Sequence, residues 1–226
     1  MNEPSYLTTT RASYDTVADD YAELVKTLFR KDPLGRAMLT AFGELVGPDR
    51  PVADIGCGPG QVTAYLDALG LSAFGVDLSP KMIEIARRAY PHLRFDVGSM
   101  TALDLADGEL GGIVAWWSIF HTPPEVLPVV FSEFHRTLAA GGHLVVGFHV
   151  GDEHLRPERS YGHPVTYDAY LFRPDHITEL LGQAGLVVTA TLVSEGKKWP
   201  QACLLAHRPG ESVDIFLGGA TSWRRG

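Results

Sequence analysis

An α/β fold built on a seven-stranded, mostly parallel sheet is what this sequence predicts, and three observations predict it. From residue 51 onward, short β-branched runs alternate with helical patterns, the order that produces parallel pairing with crossover helices. Two further strand-like runs, 186–193 and 201–207, follow one another across a short link, close enough for an antiparallel pair. The chain has 226 residues, 45% hydrophobic and 20% charged, enough to bury one core with a small insertion.

The elements follow in order. Two helical patterns, 17–29 and 34–46, precede the first strand, and Pro33 is placed to open the second. They make an N-terminal helical layer over 1–48. Strands are predicted at 51–55, 72–76, 93–97, 112–117 and 143–149. Between them, a helix runs over 61–69, and another starts after Ser79, a good N-cap, with Pro80 first and Met82, Ile83, Ala86 and Ala89 turned inward. A third spans 125–140, with Leu127, Val130, Phe131, Phe134 and Leu138 on one face. Residues 151–173 are rich in His, Pro and Tyr and have no period, so they read as an insertion, and 174–184 returns to helix. With the final pair the strands number seven. The reading is one domain over 1–210, followed by a mobile tail, 211–226, of small and charged residues.

Charge and composition exclude several classes. The 27 acids against 19 Lys and Arg give a net charge of -8, with no dense basic cluster beyond Arg224 and Arg225, which argues against a nucleic-acid partner. The longest apolar runs are strand-sized and the first residues lack the apolar stretch of a signal peptide, so the expectation is a cytoplasmic protein with no membrane partner. Two cysteines, Cys57 and Cys203, do not make a disulfide scaffold; Cys57 reads as a small filler in a tight turn.

The sharpest motif is Val52-Ala53-Asp54-Ile55-Gly56-Cys57-Gly58-Pro59-Gly60, an apolar strand running into a glycine-dense turn and then a helix. Glycines admit a ligand close to the backbone, and the helix start offers free N–H groups. A dinucleotide site wants Gly-x-Gly-x-x-Gly, but its third glycine would fall on Gln61. Asp54 would also repel a pyrophosphate. S-adenosylmethionine has no phosphate and carries a positive sulfonium and an ammonium, so it suits that acid. Asp77, closing the second strand in Gly75-Val76-Asp77-Leu78-Ser79, can accept hydrogen bonds from both hydroxyls of a ribose.

Through these two motifs and Leu138-Ala139-Ala140-Gly141-Gly142-His143-Leu144, the sequence resembles the class I S-adenosylmethionine-dependent methyltransferases of small-molecule type, over about 14–208. The resemblance implies a Rossmann-like sheet with its last strand antiparallel and helices on both faces. It also implies S-adenosyl-L-methionine as cofactor, with Asp54, Gly56, Gly58 and Gly60 near its methionine part, Asp77 at the ribose, and Cys57, Leu78, Ser99, Met100 and Trp117 completing the set. Relatives often end the third strand in Gly-Asp, the acid taking the adenine amino group; here the run is Asp96-Val97-Gly98-Ser99-Met100, and Ser99 offers only a weaker, neutral acceptor. The segment from Tyr14 to Tyr21 looks like the family's N-terminal helix that folds over the cofactor, making both tyrosines lid aromatics; alternatively, Tyr21 packs with Val17 and Leu24 at helical spacing.

In open α/β sheets ligands lie beyond the carboxyl ends of the strands. Those ends read Trp117-Ser118-Ile119-Phe120-His121 and Phe148-His149-Val150-Gly151-Asp152-Glu153-His154, aromatic and imidazole-rich, as a pocket for a neutral or aromatic acceptor would be. His149 is the first choice for a base, His121 the second and His154 the third, each with the alternative of a hydrogen-bonding strut. No metal is assigned, because the spacing of His149, Asp152, Glu153 and His154 is irregular and magnesium prefers carboxylates and water. The aromatics of 156–172 roof the pocket, form a hairpin or make a dimer contact; Trp199 and Pro200 line the pocket or form a turn. The expected function is methyl transfer to oxygen, nitrogen or carbon of a small molecule, in secondary metabolism, by a monomer or homodimer. A non-catalytic S-adenosylmethionine-binding regulator and a nicotinamide-dependent oxidoreductase are the alternatives. No Asn-Pro-Pro-Tyr-like clamp of the amide and base amino methyltransferases follows strand four.

Overall fold

The computed structural model describes residues 3–196 and 198–210, so the tail expected over 211–226 lies outside the described residues. Its order is α1 (Ser5–Arg30), α2 (Pro33–Val46), β1 (Val52–Ile55), α3 (Gln61–Ala68), β2 (Ala73–Asp77), α4 (Pro80–Ala89), β3 (Arg94–Val97), β4 (Leu110–Trp116), α5 (Leu127–Thr137), β5 (Leu138–His149), β6 (His154–Leu155), β7 (Ala169–Tyr170), α6 (Pro174–Gln183), β8 (Val187–Ser194) and β9 (Gln201–His207). Seven strands form one sheet in the order β3-β2-β1-β4-β5-β9-β8. All run parallel except β9, which pairs antiparallel with both β5 and β8. The expected Rossmann-like sheet with its last strand antiparallel is what forms.

Both faces of the sheet are covered, which is why its inner strands read as unbroken apolar runs rather than as alternations. β1 and β4 are buried along their whole length. Val52, Val114 and Val145 pack with Leu39 and Phe42 of α2 and Val62 and Leu66 of α3. Their neighbours Ala53, Ile113 and Leu144 point the other way, into Val130, Phe131 and Phe134 of α5 and Ile177 and Leu181 of α6, as the two-residue period of a strand requires. Among the described residues no helix is long and apolar enough to cross a membrane.

Several boundaries differ from the sequence reading, and those of two helices differ for a visible reason. The first helix begins at Ser5, twelve residues before the apolar period becomes visible, because its N-terminal half packs on α4 and a ligand cleft rather than on the main core. The helix expected over 125–140 starts at Leu127 after a 3-10 turn, Pro124–Val126, and ends at Thr137. Leu138 leaves helical geometry with ψ 136 and pairs with Leu110 of β4, while the Arg208 guanidinium donates to the carbonyls of His135 and Leu138. Tertiary pairing thus ends that helix earlier than its periodicity does. The insertion holds a two-residue antiparallel ladder, β6 with β7, and is anchored to the end of β5 where Phe172 N–H donates to His149 O and Val150 N–H to Pro200 O.

Candidate active site

A cleft opens at the carboxyl ends of β1, β2 and β4, lined by the turn after β1, by Val76 to Ser79, by Gly98 to Met100, by Trp117, Ser118, His121 and Thr122, and by Tyr6, Leu7, Thr10, Arg11, Tyr14 and Tyr21 of α1. The space between its walls, open solvent at the mouth included, is about 770 Å³.

The three glycines of the turn have three different reasons. Gly58 has φ +53, and a Cβ there would meet only Tyr21 Cε1, at 3.7 Å, so its open side faces the cleft. At Gly56 a Cβ would lie 2.3 Å from the Ser118 Cβ; Ser118 approaches because its hydroxyl donates to Ile55 O at 2.8 Å, tying the end of β4 to the end of β1. Gly60 sits under the turn, where a Cβ would strike the Phe95 ring at 2.8 Å, and it does not line the cleft. The Cys57 side chain also turns away, into a cluster with Ile83, Ala86 and Phe95. Gly60 and Cys57 were expected at the cofactor; their side of the turn meets protein instead, leaving Gly56 and Gly58 at the cleft.

One carboxylate, Asp77, lines this floor, and a second, Asp54, lies beneath it without reaching the cleft. Asp77 Oδ2 accepts from Gly58 N–H and its Oδ1 from Ser79 N–H, both at 2.8 Å, leaving further lone pairs for a ligand. Burial outweighs those amides and pushes its carboxyl up to about 6. Asp54, also expected at the cofactor, is fully buried beneath the cleft wall. Its Oδ2 accepts from the Thr63 hydroxyl at 2.7 Å, while among the described residues Oδ1 has no partner. Burial raises its carboxyl to about 7. The Asp77 carboxylate at the floor, with lone pairs left over, and a turn open at Gly58 fit a phosphate-free nucleoside and disfavour a pyrophosphate.

The wall comes from β4. Trp117 holds φ +54, a left-handed conformation unusual for a bulky residue and seldom kept without a reason; it follows the strand end, with its N–H donating to Gly147 O. His121, in the following 3-10 turn, is buried, and burial lowers its pKa to about 4. Leu78, Ser99 and Met100 line the cleft; Ser99 Oγ lies 2.8 Å from Thr101 Oγ1.

The other histidines go elsewhere. His149, the first choice for a base, does not line the cleft; its ring lies against Trp117, Phe120 and Trp199 with centroids 5.0, 5.8 and 5.8 Å away, and its buried Nδ1 has no partner among the described residues. His154 stacks on Tyr170 and bonds Asp168 Oδ1 at 2.7 Å, bordering a separate surface groove with Asp152 and Glu153. Among the described residues no group of three His, Cys, Asp or Glu is arranged to hold a metal.

The residues that sequence reasoning missed are in α1. Tyr6, Leu7, Thr10 and Arg11 line the cleft, and Arg11 Nε donates to Leu78 O at 3.2 Å while its guanidinium pairs with Glu3. Little in the sequence signals them: Glu3 precedes the helix, and the residues facing the cleft leave no apolar period. The insertion packs on α1 without lining the cleft: Ser13 Oγ donates to Thr166 O at 2.9 Å, Tyr14 stacks on Tyr167, Tyr21 meets Tyr161 edge-on, and His163 pairs with Asp20.

Residues 52–142 match the family model of the methyltransferase domain. The chain is 31% identical over 97 residues to an uncharacterized methyltransferase of Synechocystis sp., covering 43% of this chain and 46% of that protein. It is 34% identical over 133 residues to the magnesium-protoporphyrin O-methyltransferase of Rhodobacter capsulatus, covering 55% and 58%. The chain therefore spans about half the length of the curated relatives it matches. In structure it resembles the Burkholderia thailandensis 1,6-didemethyltoxoflavin-N1-methyltransferase, solved with that compound and S-adenosylhomocysteine, at TM-score 0.70 and 18% identity over 92% of this chain and 93% of that one; the fold is shared.

Proposed function

We propose that this chain, which carries the class I S-adenosylmethionine-dependent methyltransferase domain over residues 52–142, methylates a small organic acceptor. One observation carries the reading: the Asp77 carboxylate, held by the amides of Gly58 and Ser79, faces a cleft whose turn is open at Gly58. When bound, S-adenosylmethionine supplies an electrophilic methyl group on a positive sulfur. Asp77 would hold the ribose hydroxyls, Asp54 would balance positive charge from below, and Gly98 to Met100 would border the base. Trp117, Ser118, His121 and Thr122 would then form the acceptor side.

The small-molecule part of the proposal is supported by enclosure. α1 lines one side of the cleft and is itself tied down by the insertion, 151–173, and a cleft walled by a helix in this way suits a small ring better than a protein or nucleic-acid strand. Water exclusion matters because the reaction is a displacement at carbon, in which the protein's contribution is alignment and a low-dielectric site. The acceptor class is supported further by the names of relatives, which methylate porphyrins or heterocycles. The test is calorimetric titration of the full chain with S-adenosylmethionine and S-adenosylhomocysteine, with NADH as control. Binding of the sulfur nucleosides alone is expected, weakened in Asp77→Ala by about 2 kcal/mol, roughly thirtyfold, for loss of a charge-assisted pair. Binding of NADH alone, or full affinity in the variant, would remove the reading.

A further inference from the structure

His121 bridges two partners of opposite demand. Its Nδ1 lies 2.9 Å from the backbone carbonyl of Asp168, and a carbonyl only accepts, so Nδ1 carries the ring proton. In the neutral ring Nε2 is then an acceptor, and the group facing it at 2.7 Å is the Tyr14 hydroxyl, which must donate. The Tyr14 oxygen keeps its capacity to accept, with the hydroxyls of Tyr21 and Tyr161 also close to it, and Tyr14 lines the cleft beside His121 and Thr122. The insertion therefore sets the tautomer, the tautomer sets the direction of the Tyr14 hydrogen bond, and that direction leaves at the cleft an oxygen able to accept a proton.

We infer that Tyr14 and His121 form a proton relay, in which the acceptor's hydroxyl or amine proton passes to the Tyr14 hydroxyl oxygen while Tyr14's own proton passes to His121 Nε2. This rests on the methyltransferase reading and gives it a base. As the carbon–sulfur bond breaks and the acceptor–carbon bond forms, the positive charge that leaves sulfur reappears on the imidazolium, whose Nδ1–H remains on the Asp168 carbonyl; the bond broken at the acceptor is its O–H or N–H, and no other reactant is needed. The charge passes from sulfonium to imidazolium within one site; burial disfavours the charged ring, and the rising acidity of the acceptor as it bonds to carbon is what drives the proton there.

The chemistry is consistent with the environment of both groups. Burial keeps His121 neutral across the physiological range and pushes the Tyr14 hydroxyl well above its ordinary pKa, so Tyr14 conducts the proton without ionising. A weak base suffices, because an oxygen or nitrogen becomes strongly acidic once it bonds to the transferred carbon. His149, packed among Trp117, Phe120 and Trp199 away from the cleft, has no such contact. Asp168 is the positioning residue: it acts through its carbonyl on His121, and its side chain holds His154.

The relay is tested on the full chain, labelled with nitrogen-15 histidine and titrated with S-adenosylhomocysteine. Long-range proton–nitrogen spectra should show His121 as the Nδ1–H tautomer from pH 6 to 9, with Nε2 losing its hydrogen bond in Tyr14→Phe, a variant that keeps the ring packing. With S-adenosylmethionine and a panel of phenols and aromatic amines, Tyr14→Phe and His121→Asn should each lower kcat by roughly a hundredfold, the double variant no further, with the affinity for S-adenosylhomocysteine within threefold of wild type. An Nε2–H tautomer, an Nε2 signal indifferent to Tyr14→Phe, or an undiminished kcat in that variant would overturn the relay while leaving cofactor binding in place. Failure of the wild type to bind S-adenosylhomocysteine would instead sink the methyltransferase reading, and the relay with it.

Discussion

Asp54 illustrates how one side chain serves a site at the expense of the empty fold. It is buried with one oxygen bonded to Thr63 and the other unpartnered, and burial raises its carboxyl to about 7. The folded chain therefore binds this proton more tightly than the unfolded one, whose carboxyl titrates near 4. Stability from this group is present below about pH 4 and is lost as pH rises through 7. Asp54→Asn removes the buried charge, so its thermal midpoint, measured without ligand from pH 4 to pH 8, should overtake that of the wild type as pH rises. The gain at pH 8 is expected on the order of 2 kcal/mol. A gap between the two proteins that does not change with pH would mean that Asp54 is not the group being charged.

At the scale of the element, the decisive contact is between α1 and α4. Ser79 N-caps α4, its hydroxyl oxygen accepting from Met82 N–H at 3.1 Å, and the same hydroxyl donates to Asp15 Oδ1 of α1, which also accepts from Lys81 N–H. An acid supplied from another helix thus satisfies the orphan donors at the start of α4, where negative charge is favoured. Only Ser13, Val17 and Ala18 of α1 are fully buried, so polar contacts of this kind carry much of its docking. Asp15→Ala should loosen α1 by about 1 kcal/mol, read as a roughly fivefold faster hydrogen exchange of α1 amides with the sheet amides unchanged. Equal acceleration in both would show that α1 unfolds only with the core.

On the scale of the whole molecule, the cleft is assembled from residues as far apart in sequence as Tyr6 and Thr122, on both the sheet and its covering helix. A ligand there binds only the folded chain, so saturation must raise global stability. S-adenosylhomocysteine at a hundred times its Kd should add about 2.7 kcal/mol, a rise in Tm of roughly 5–10 °C for a domain of this size, while NADH should leave Tm unchanged. A bound nucleoside that leaves Tm in place would mean that the elements forming the cleft melt apart from the sheet.

The sheet was legible because its signals are local: Val52, Ala53 and Ile55 around the one acid Asp54, and Ile113 to Trp116, are apolar on both faces, and burying both faces is what a parallel sheet requires. The turn from Gly56 to Gly60 and the acid closing β2 were legible for the same reason, since strand, turn and helix start lie within a few residues of each other. The start of α1 was not, because Tyr6, Leu7, Thr10 and Arg11 face a cleft rather than a core and so leave no apolar period. Nor could sequence rank the histidines. His149 and His121 stand at equivalent strand ends, and their difference arises from residues far along the chain: Trp199 and Phe120 enclose the one, while Tyr14 and the Asp168 carbonyl bond the other. Local chain stereochemistry and hydrophobic periodicity determine the elements and the cofactor turn; the tautomer of a buried imidazole depends on which acceptor the folded chain places against it, a contact 47 residues away that only the tertiary structure decides.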